Sequence, residues 1–75
     1  MNNERRKRIQ VCINALDDIQ SKINDILSDE EDAFDNLPEG LQSSARGESM
    51  ESAIETLNEA IDHTDDAARC LEELI

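Results

Sequence analysis

Residues 9–34 read IQVCINALDDIQSKINDILSDEEDAF, and their apolar residues recur at alternating intervals of three and four. This spacing predicts a helix that packs along one side against a partner helix. The predicted seam comprises Ile9, Cys12, Leu16, Ile19, Ile23, Ile26, Glu30, Ala33 and Leu37. A neighbouring row adds Ile13, Gln20, Leu27 and Phe34, so the stripe is wider than a two-stranded coiled coil needs. We therefore expect a bundle helix over about residues 4–34.

The C-terminal part of the chain carries a second stripe of the same kind. Its predicted seam is Met50, Ala53, Leu57, Ala60, Thr64, Ala67, Leu71 and Leu74, with Ile54, Ile61, Ala68 and Ile75 in the neighbouring row. Alanines seven residues apart allow a neighbouring backbone to come close. These positions predict a second helix over about residues 45–75.

The segment 35–44 contains Pro38 and Gly40, which weaken a helix locally, and it ends at Ser44, a suitable N-cap. A short connection makes the two helices antiparallel neighbours. The sequence therefore predicts an all-α fold, a single helical hairpin over residues 1–75. Because two helices cannot enclose stripes of three rows, we expect a homo-oligomer, with two hairpins forming a four-helix bundle.

The composition is strongly acidic. The 75 residues include 19 acids and 7 bases, a net charge of −12, and Phe34 is the only aromatic residue. Residues 1–8 carry a net charge of +3 and residues 9–75 a net charge of −15. Few aromatic and turn residues argue against a sheet protein. No apolar run approaches the length of a membrane span and no signal peptide is evident, so we expect a cytoplasmic protein without membrane contact.

Two features of the predicted hairpin have structural interpretations. The basic residues Arg5, Arg6 and Arg8 would lie near Glu72, Glu73 and the terminal carboxylate, although binding to nucleic acid or lipid is an alternative for this cluster. Cys12 and Cys70 would lie at one level as buried thiols that act as small hydrophobes, and a disulfide between them is possible but unnecessary in a reducing compartment.

The residues with catalytic or metal-binding potential do not form a known arrangement. His63 is flanked by Glu59 and Asp66, but Glu59-x-x-x-His63 lacks the Glu-x-x-His spacing of di-iron bundles. The acidic run near residue 30 lacks the mid-loop glycine of an EF-hand. All-α nucleotide pyrophosphohydrolases resemble such an acidic bundle, but Phe34 stands where their motif needs an acid. We expect no enzyme activity, no cofactor and no metal.

The stretch 33–62 contains Asn36-Leu37-Pro38-Glu39, Leu41-Gln42, Ser44, Arg46-Gly47-Glu48 and the Ala-Ile repeats that follow Met50. It resembles small acidic proteins of phages and prophages in Gram-positive bacteria. This resemblance implies a helical hairpin from a mobile element, located in the cytoplasm of a bacterial host. It implies no particular activity.

The charge pattern predicts a binding protein that acts through its negative surface. Rows of carboxylates on a rigid rod can imitate the phosphates of DNA and occupy the basic groove of a host protein, without the rod contacting nucleic acid itself. We expect inhibition or decoying of a nucleic-acid-binding or defence protein. The predicted partner-binding residues are Asp29, Glu30, Glu31, Asp32, Asp35, Asp62, Asp65 and Asp66. The alternatives are a structural or adaptor bundle in phage assembly and an acidic surface that serves only solubility.

Overall fold

The computed structural model describes all 75 residues, and its regular structure is entirely helical, as the sequence predicts. Helix α1 spans Asn3–Asp35, α2 spans Glu39–Gln42 and α3 spans Ala45–Glu72. Two contacts show that α3 runs back along α1 in the opposite direction: Arg6 donates to Leu74, just beyond the end of α3, and Gln20 donates to Ile61. At the other end of the hairpin, Gln42 of α2 donates to Phe34 of α1. The chain is therefore an antiparallel helical hairpin closed by one short helix.

The hairpin is a thin rod. Its principal extents are 58 × 15 × 11 Å and its radius of gyration is 17.2 Å. A compact domain of this length would have a radius of gyration of about 11 Å. One layer of two helices has no opposite layer to cover it, so each long helix keeps a wide exposed surface.

Capping residues set where the long helices begin. The Asn2 side chain accepts a hydrogen bond from the Arg5 amide at 2.9 Å, and Ser44 Oγ accepts one from the Gly47 amide at 3.4 Å. The second contact confirms Ser44 as an N-cap. Helix α3 ends at Glu72, three residues before the expected end at residue 75, because the Leu74 and Ile75 amides bond to carbonyls three residues back and tighten the last turn.

The connection between α1 and α3 is tight. The Leu41 amide donates to the Pro38 carbonyl at 2.8 Å, and the Gln42 side-chain amide donates to the Phe34 carbonyl at 3.3 Å. Gly47, in the first turn of α3, is buried against Gln42. A Cβ atom at Gly47 would lie 2.0 Å from the Gln42 carbonyl oxygen, so this turn requires a glycine.

On α1 the contact seam of the hairpin is shifted by one row from the predicted seam, whereas on α3 it is wider than the predicted seam. On α1 the buried and half-buried residues are Ile9, Ile13, Leu16, Gln20, Ile23, Leu27, Glu30 and Phe34. On α3 the buried and half-buried residues are Gly47, Met50, Ala53, Ile54, Leu57, Ala60, Ile61, Thr64, Asp65, Ala68 and Leu71. The prediction that Cys12, Ile19, Ile26, Ala33, Ala67 and Leu74 belong to this seam is wrong, because all six are exposed. Ala53 and Ala60 are half-buried, as predicted. The rows containing Phe34 and Ile61 bury larger side chains than the alanine-containing rows, and larger apolar side chains stabilise more when buried.

A polar layer lies in the middle of the contact seam. The Gln20 side-chain amide donates to the Ile61 carbonyl at 3.3 Å, and Thr64 Oγ1 donates to the same carbonyl at 2.8 Å. A polar residue that finds its partner only in one alignment specifies the register of a helix pair.

Neither long helix contains a segment that is apolar enough over the necessary length to cross a membrane.

Candidate protein-binding surfaces

The structure exposes surfaces rather than a cleft. Three apolar residues are buried, Ile13, Leu27 and Ala68, and no side chain is fully buried. The accessible surface is 5519 Å², whereas a compact monomer of 8.4 kDa would expose about 4,600 Å². The excess of roughly 900 Å² is comparable to what one partner contributes to a standard protein interface.

One side of the hairpin carries an apolar surface that is mostly exposed, which we call the apolar face. It consists of Cys12, Ile19, Ile26 and Ala33 of α1 and of Ala53, Ala60 and Ala67 of α3. Ala53 and Ala60 are half-buried and the other five are exposed. Ile19 and Ile26 are 46% and 54% exposed. In both helices, the row of the apolar face lies at the same angle about the helix axis from the contact seam. Because the two helices are antiparallel, the two rows face the same side of the hairpin. The three-row width of the stripes in the sequence indicates such a face but does not identify the rows that compose it.

The opposite side is polar, and we call it the acidic face. It consists of Gln10, Asp17, Asn24 and Glu31 of α1 and of Glu51, Asn58, Asp65 and Glu72 of α3. Asp65 forms the one salt bridge of the chain, with Arg69 at 3.0 Å. The remaining carboxylates of this face have no cationic partner within salt-bridge distance, so their charge is available to another molecule.

Basic residues concentrate around the apolar face. Arg5 and Arg46 continue its two rows, while Arg8 and Lys22 lie one row farther out on α1. The same outer row contains Asp29, the only acid on this side of the hairpin. The hairpin is therefore divided into one apolar side bordered by cations and a remaining surface dominated by carboxylates.

The structure does not bring the eight predicted partner-binding acids together. Asp29 borders the apolar face, and Glu30 is half-buried in the contact seam. The other six, Glu31, Asp32, Asp35, Asp62, Asp65 and Asp66, lie on the acidic face, on its flanks or on the outer backs of the helices. The Gln20–Ile61 contact places Asp62 near the level of Ile19, so the α3 group lies roughly 15–30 Å along the rod from the α1 group.

The basic cluster contacts the C-terminal end of the chain through one residue. Arg6 lies near that end, as predicted, and donates from Nε to the Leu74 carbonyl at 3.3 Å and from a terminal nitrogen to Asn3 at 3.2 Å. No ion pair joins the cluster to the C-terminal carboxylates. Arg5 and Arg8 line an open depression of about 330 Å³ together with Met1, Ile9 and Cys12. These two arginines therefore remain free to meet an acidic group from outside the hairpin.

The cysteines differ from expectation. Cys12 and Cys70 are exposed free thiols, so the prediction of two buried thiols is wrong. Cys12 lies on the apolar face and Cys70 beside it, outside the contact seam. His63 lies on the exposed surface of α3. No group of three or more His, Cys, Asp or Glu side chains is arranged to hold a metal ion.

Comparison with known proteins gives no relative for this chain: no family model, no curated protein and no solved structure matches it.

Proposed function

We propose that the protein is a non-enzymatic, acidic protein-binding module that works as a homodimeric four-helix bundle. Its partner is a bacterial host protein with a basic surface, a nucleic-acid-binding or defence protein that the module inhibits or decoys. The observation that carries this proposal is the separation of the surface into an apolar side and an acidic remainder. One side is suited to a second copy, and the other is left for a partner.

The apolar face accounts for the dimer. A soluble monomer gains nothing from leaving Ile19 and Ile26 about half exposed on one side, because apolar surface is stabilised by removal from water. The excess surface of roughly 900 Å² over a compact monomer matches the contribution of one partner to a standard interface of about 1,600 Å². Two hairpins that cover each other's apolar faces form a four-helix bundle.

The linear charge density of the dimer supports a DNA-binding protein as the partner. One hairpin carries a net charge of −12 over a length of 58 Å, about one charge per 4.8 Å. Two overlapping hairpins carry twice that charge over the same length, about one per 2.4 Å. Duplex DNA carries one per ~1.7 Å. Dimerisation therefore raises the linear charge density from about a third to about two thirds of that of DNA.

The six outward acids remain accessible when the apolar face is covered. Glu31, Asp32 and Asp35 lie near the connection, and Asp62, Asp65 and Asp66 lie along α3. Two groups separated along a rod fit an extended basic groove better than a single charged point on a partner. Asp29 and Glu30 are not assigned to this surface, because one borders the apolar face and the other faces the contact seam.

The test is capture of a DNA-binding protein from a Gram-positive bacterial lysate, followed by a DNA-displacement assay with the captured protein. We expect the module to displace duplex DNA, and we expect its affinity to fall as salt rises, because long-range attraction is screened beyond ~8 Å at physiological ionic strength. A variant with Glu31→Gln, Asp32→Asn and Asp35→Asn should keep its helicity and bind the captured protein less tightly.

A matched control removes three acids elsewhere on the outer surface, by Glu51→Gln, Glu55→Gln and Glu59→Gln. Equal weakening by both triple variants would mean that only net charge matters and would contradict the assignment to the α1 group. Binding that neither variant weakens would contradict an electrostatic role for the acidic surface altogether.

The rod shape favours a second candidate function, a structural or adaptor bundle in phage assembly. An elongated molecule of 58 × 15 × 11 Å without an enclosed pocket is suited to bridging other proteins. This alternative predicts co-purification with assembly components through contacts that resist salt. The same capture experiment separates the two functions, since an inhibitor releases its partner at high salt.

A further inference from the structure

We infer that the second copy docks on the apolar face head to tail, so that the connection of one hairpin lies at the open end of the other. The twofold axis then passes at the level of Ile19 in α1 and within about two residues of Ala60 in α3, and α1 lies antiparallel to α1 of the second copy. This inference rests on the dimer of the proposed function, but it does not depend on the acidic partner.

The charges of α1 support the head-to-tail orientation. The first two turns of the helix contain one acid, Glu4, and the four cations Arg5, Arg6, Lys7 and Arg8, whereas the acidic run within residues 29–35 ends the helix, with no base in its last turn. Both ends oppose the helix dipole, which favours anions at the N-terminus and cations at the C-terminus. Helix α3 follows the ordinary pattern, with Glu48 in its first turn and Arg69 in its last.

Head-to-tail docking brings the basic end of each α1 to the acidic end of α1 in the second copy. The opposite arrangement, with both connections at one end, would place the two acidic runs at the same end of the bundle, where like charges repel. The end-to-end charge complementarity of the chain therefore selects one orientation.

The positions of individual residues fit the same axis. A twofold axis at Ile19 places Cys12 opposite Ile26 of the second copy. It also places Arg8 within one residue of the level of Asp29 of the second copy, in the same outer row. Since Asp29 is the only acid on this side of the hairpin and Arg8 is one of the cations that border it, the two meet twice in one dimer.

The α3 row is centred near the same level. The hydrogen bond from Gln20 to the Ile61 carbonyl aligns Ile19 with Asp62, so Ala60 lies within about two residues, ~3 Å, of the level of Ile19. An axis near Ala60 sets Ala53 opposite Ala67 of the second copy, so alanines meet in the central part of the approach between the two α3 helices. One axis therefore lies within about 3 Å of the centres of both rows of the apolar face.

Engineered disulfides test the orientation in the full chain. In a Cys12→Ser/Cys70→Ser background, Ile19→Cys should convert most of the chain under mild oxidation into a disulfide-linked species of twice the 8.4 kDa mass, because Ile19 meets itself at the axis. Ala60→Cys should do the same. Val11→Cys is the matched control: Val11 is 67% exposed but lies on the outer back of α1, so it should give no linked dimer at the same concentration.

The reverse orientation gives a different pattern. With both connections at one end, Ile19 would lie opposite Ala60 of the second copy, so the two cysteine variants would link only when mixed. That result would overturn the head-to-tail arrangement while leaving the dimer intact. A cysteine-free parent that sediments as a monomer would overturn the dimer itself, whereas partner capture tests the acidic surface separately.

Charge reversal gives an independent measurement. Arg8→Asp or Asp29→Arg should weaken the dimer roughly tenfold, since each reversal turns two symmetric attractions into repulsions. The double variant should recover most of the loss. Failure of the double variant to recover it, with single variants that remain helical, would show that these residues do not meet.

Discussion

At the scale of single residues, Gly47 shows how closely the hairpin closes. As a glycine near a connection it reads in the sequence as a helix breaker, yet the structure places it inside the first turn of α3, buried against the backbone of Gln42. Gly40 lies seven residues earlier with nothing near the position that a Cβ atom would take. The two glycines of the chain therefore have different reasons to be glycine, and composition alone cannot distinguish them.

This difference predicts opposite outcomes for the same substitution. Gly47→Ala should lower the free energy of unfolding by about 1–3 kcal/mol, because the added methyl group meets the Gln42 carbonyl and forces α2 and α3 apart. Gly40→Ala should leave stability unchanged or raise it by up to ~1 kcal/mol, since it restricts the unfolded chain without a clash. Thermal unfolding followed by circular dichroism compares them directly. Equal melting temperatures would show that α3 does not approach Gln42 so closely.

At the scale of elements, the charge pattern of α1 makes a prediction about stability. Asp32→Asn with Asp35→Asn removes two anions from the C-terminal end of the helix, where they oppose its dipole, and should stabilise the protein by about 0.3–1 kcal/mol per charge at low ionic strength. Glu48→Gln is the control, because the same charge is removed from the N-terminal end of α3. It should destabilise by a similar amount.

The measurement is the free energy of urea-induced unfolding at low and high salt. Both effects should shrink as salt rises, because exposed charges are screened. If all three carboxylates shifted stability in the same direction, the effect would come from net charge rather than from the helix ends.

The elements also show what the sequence could and could not predict. Apolar periodicity predicted both long helices, and the residue type of Ser44 predicted its capping role, because both signals are local. Periodicity misplaced the contact seam, because each stripe has three apolar rows and local spacing cannot decide which two face the partner helix within the chain. Because Gln20 is polar, its row lies outside the predicted seam. In the structure, its side chain donates a hydrogen bond to a carbonyl of α3. The apolar face and its bordering cations emerge only after that choice between rows is made.

At the scale of the whole molecule, the thinness of the hairpin links stability to association. A rod with three buried apolar residues and no fully buried side chain has little core of its own. If the second copy covers the apolar face, folding and dimerisation are coupled, and the apparent stability depends on protein concentration. We expect the thermal midpoint of the parent chain to rise as its concentration is increased, and a midpoint that stays constant would contradict this coupling.

A pair of aspartate substitutions tests which side of the molecule supplies that stability. Ile19→Asp puts a charge at the centre of the apolar face, where association would bury it without a partner at high cost. It should shift the sedimenting species from dimer to monomer, lower the thermal midpoint and remove its dependence on concentration. Val11→Asp introduces the same side chain at an exposed apolar position on the outer back of α1, so it should leave mass and midpoint close to those of the parent. If both variants remained dimeric, the second copy would have to lie elsewhere, with the acidic face the remaining broad side of the rod. Dimerisation there would bring rows of carboxylates together, and its affinity would rise with salt rather than stay nearly constant as expected for an apolar interface.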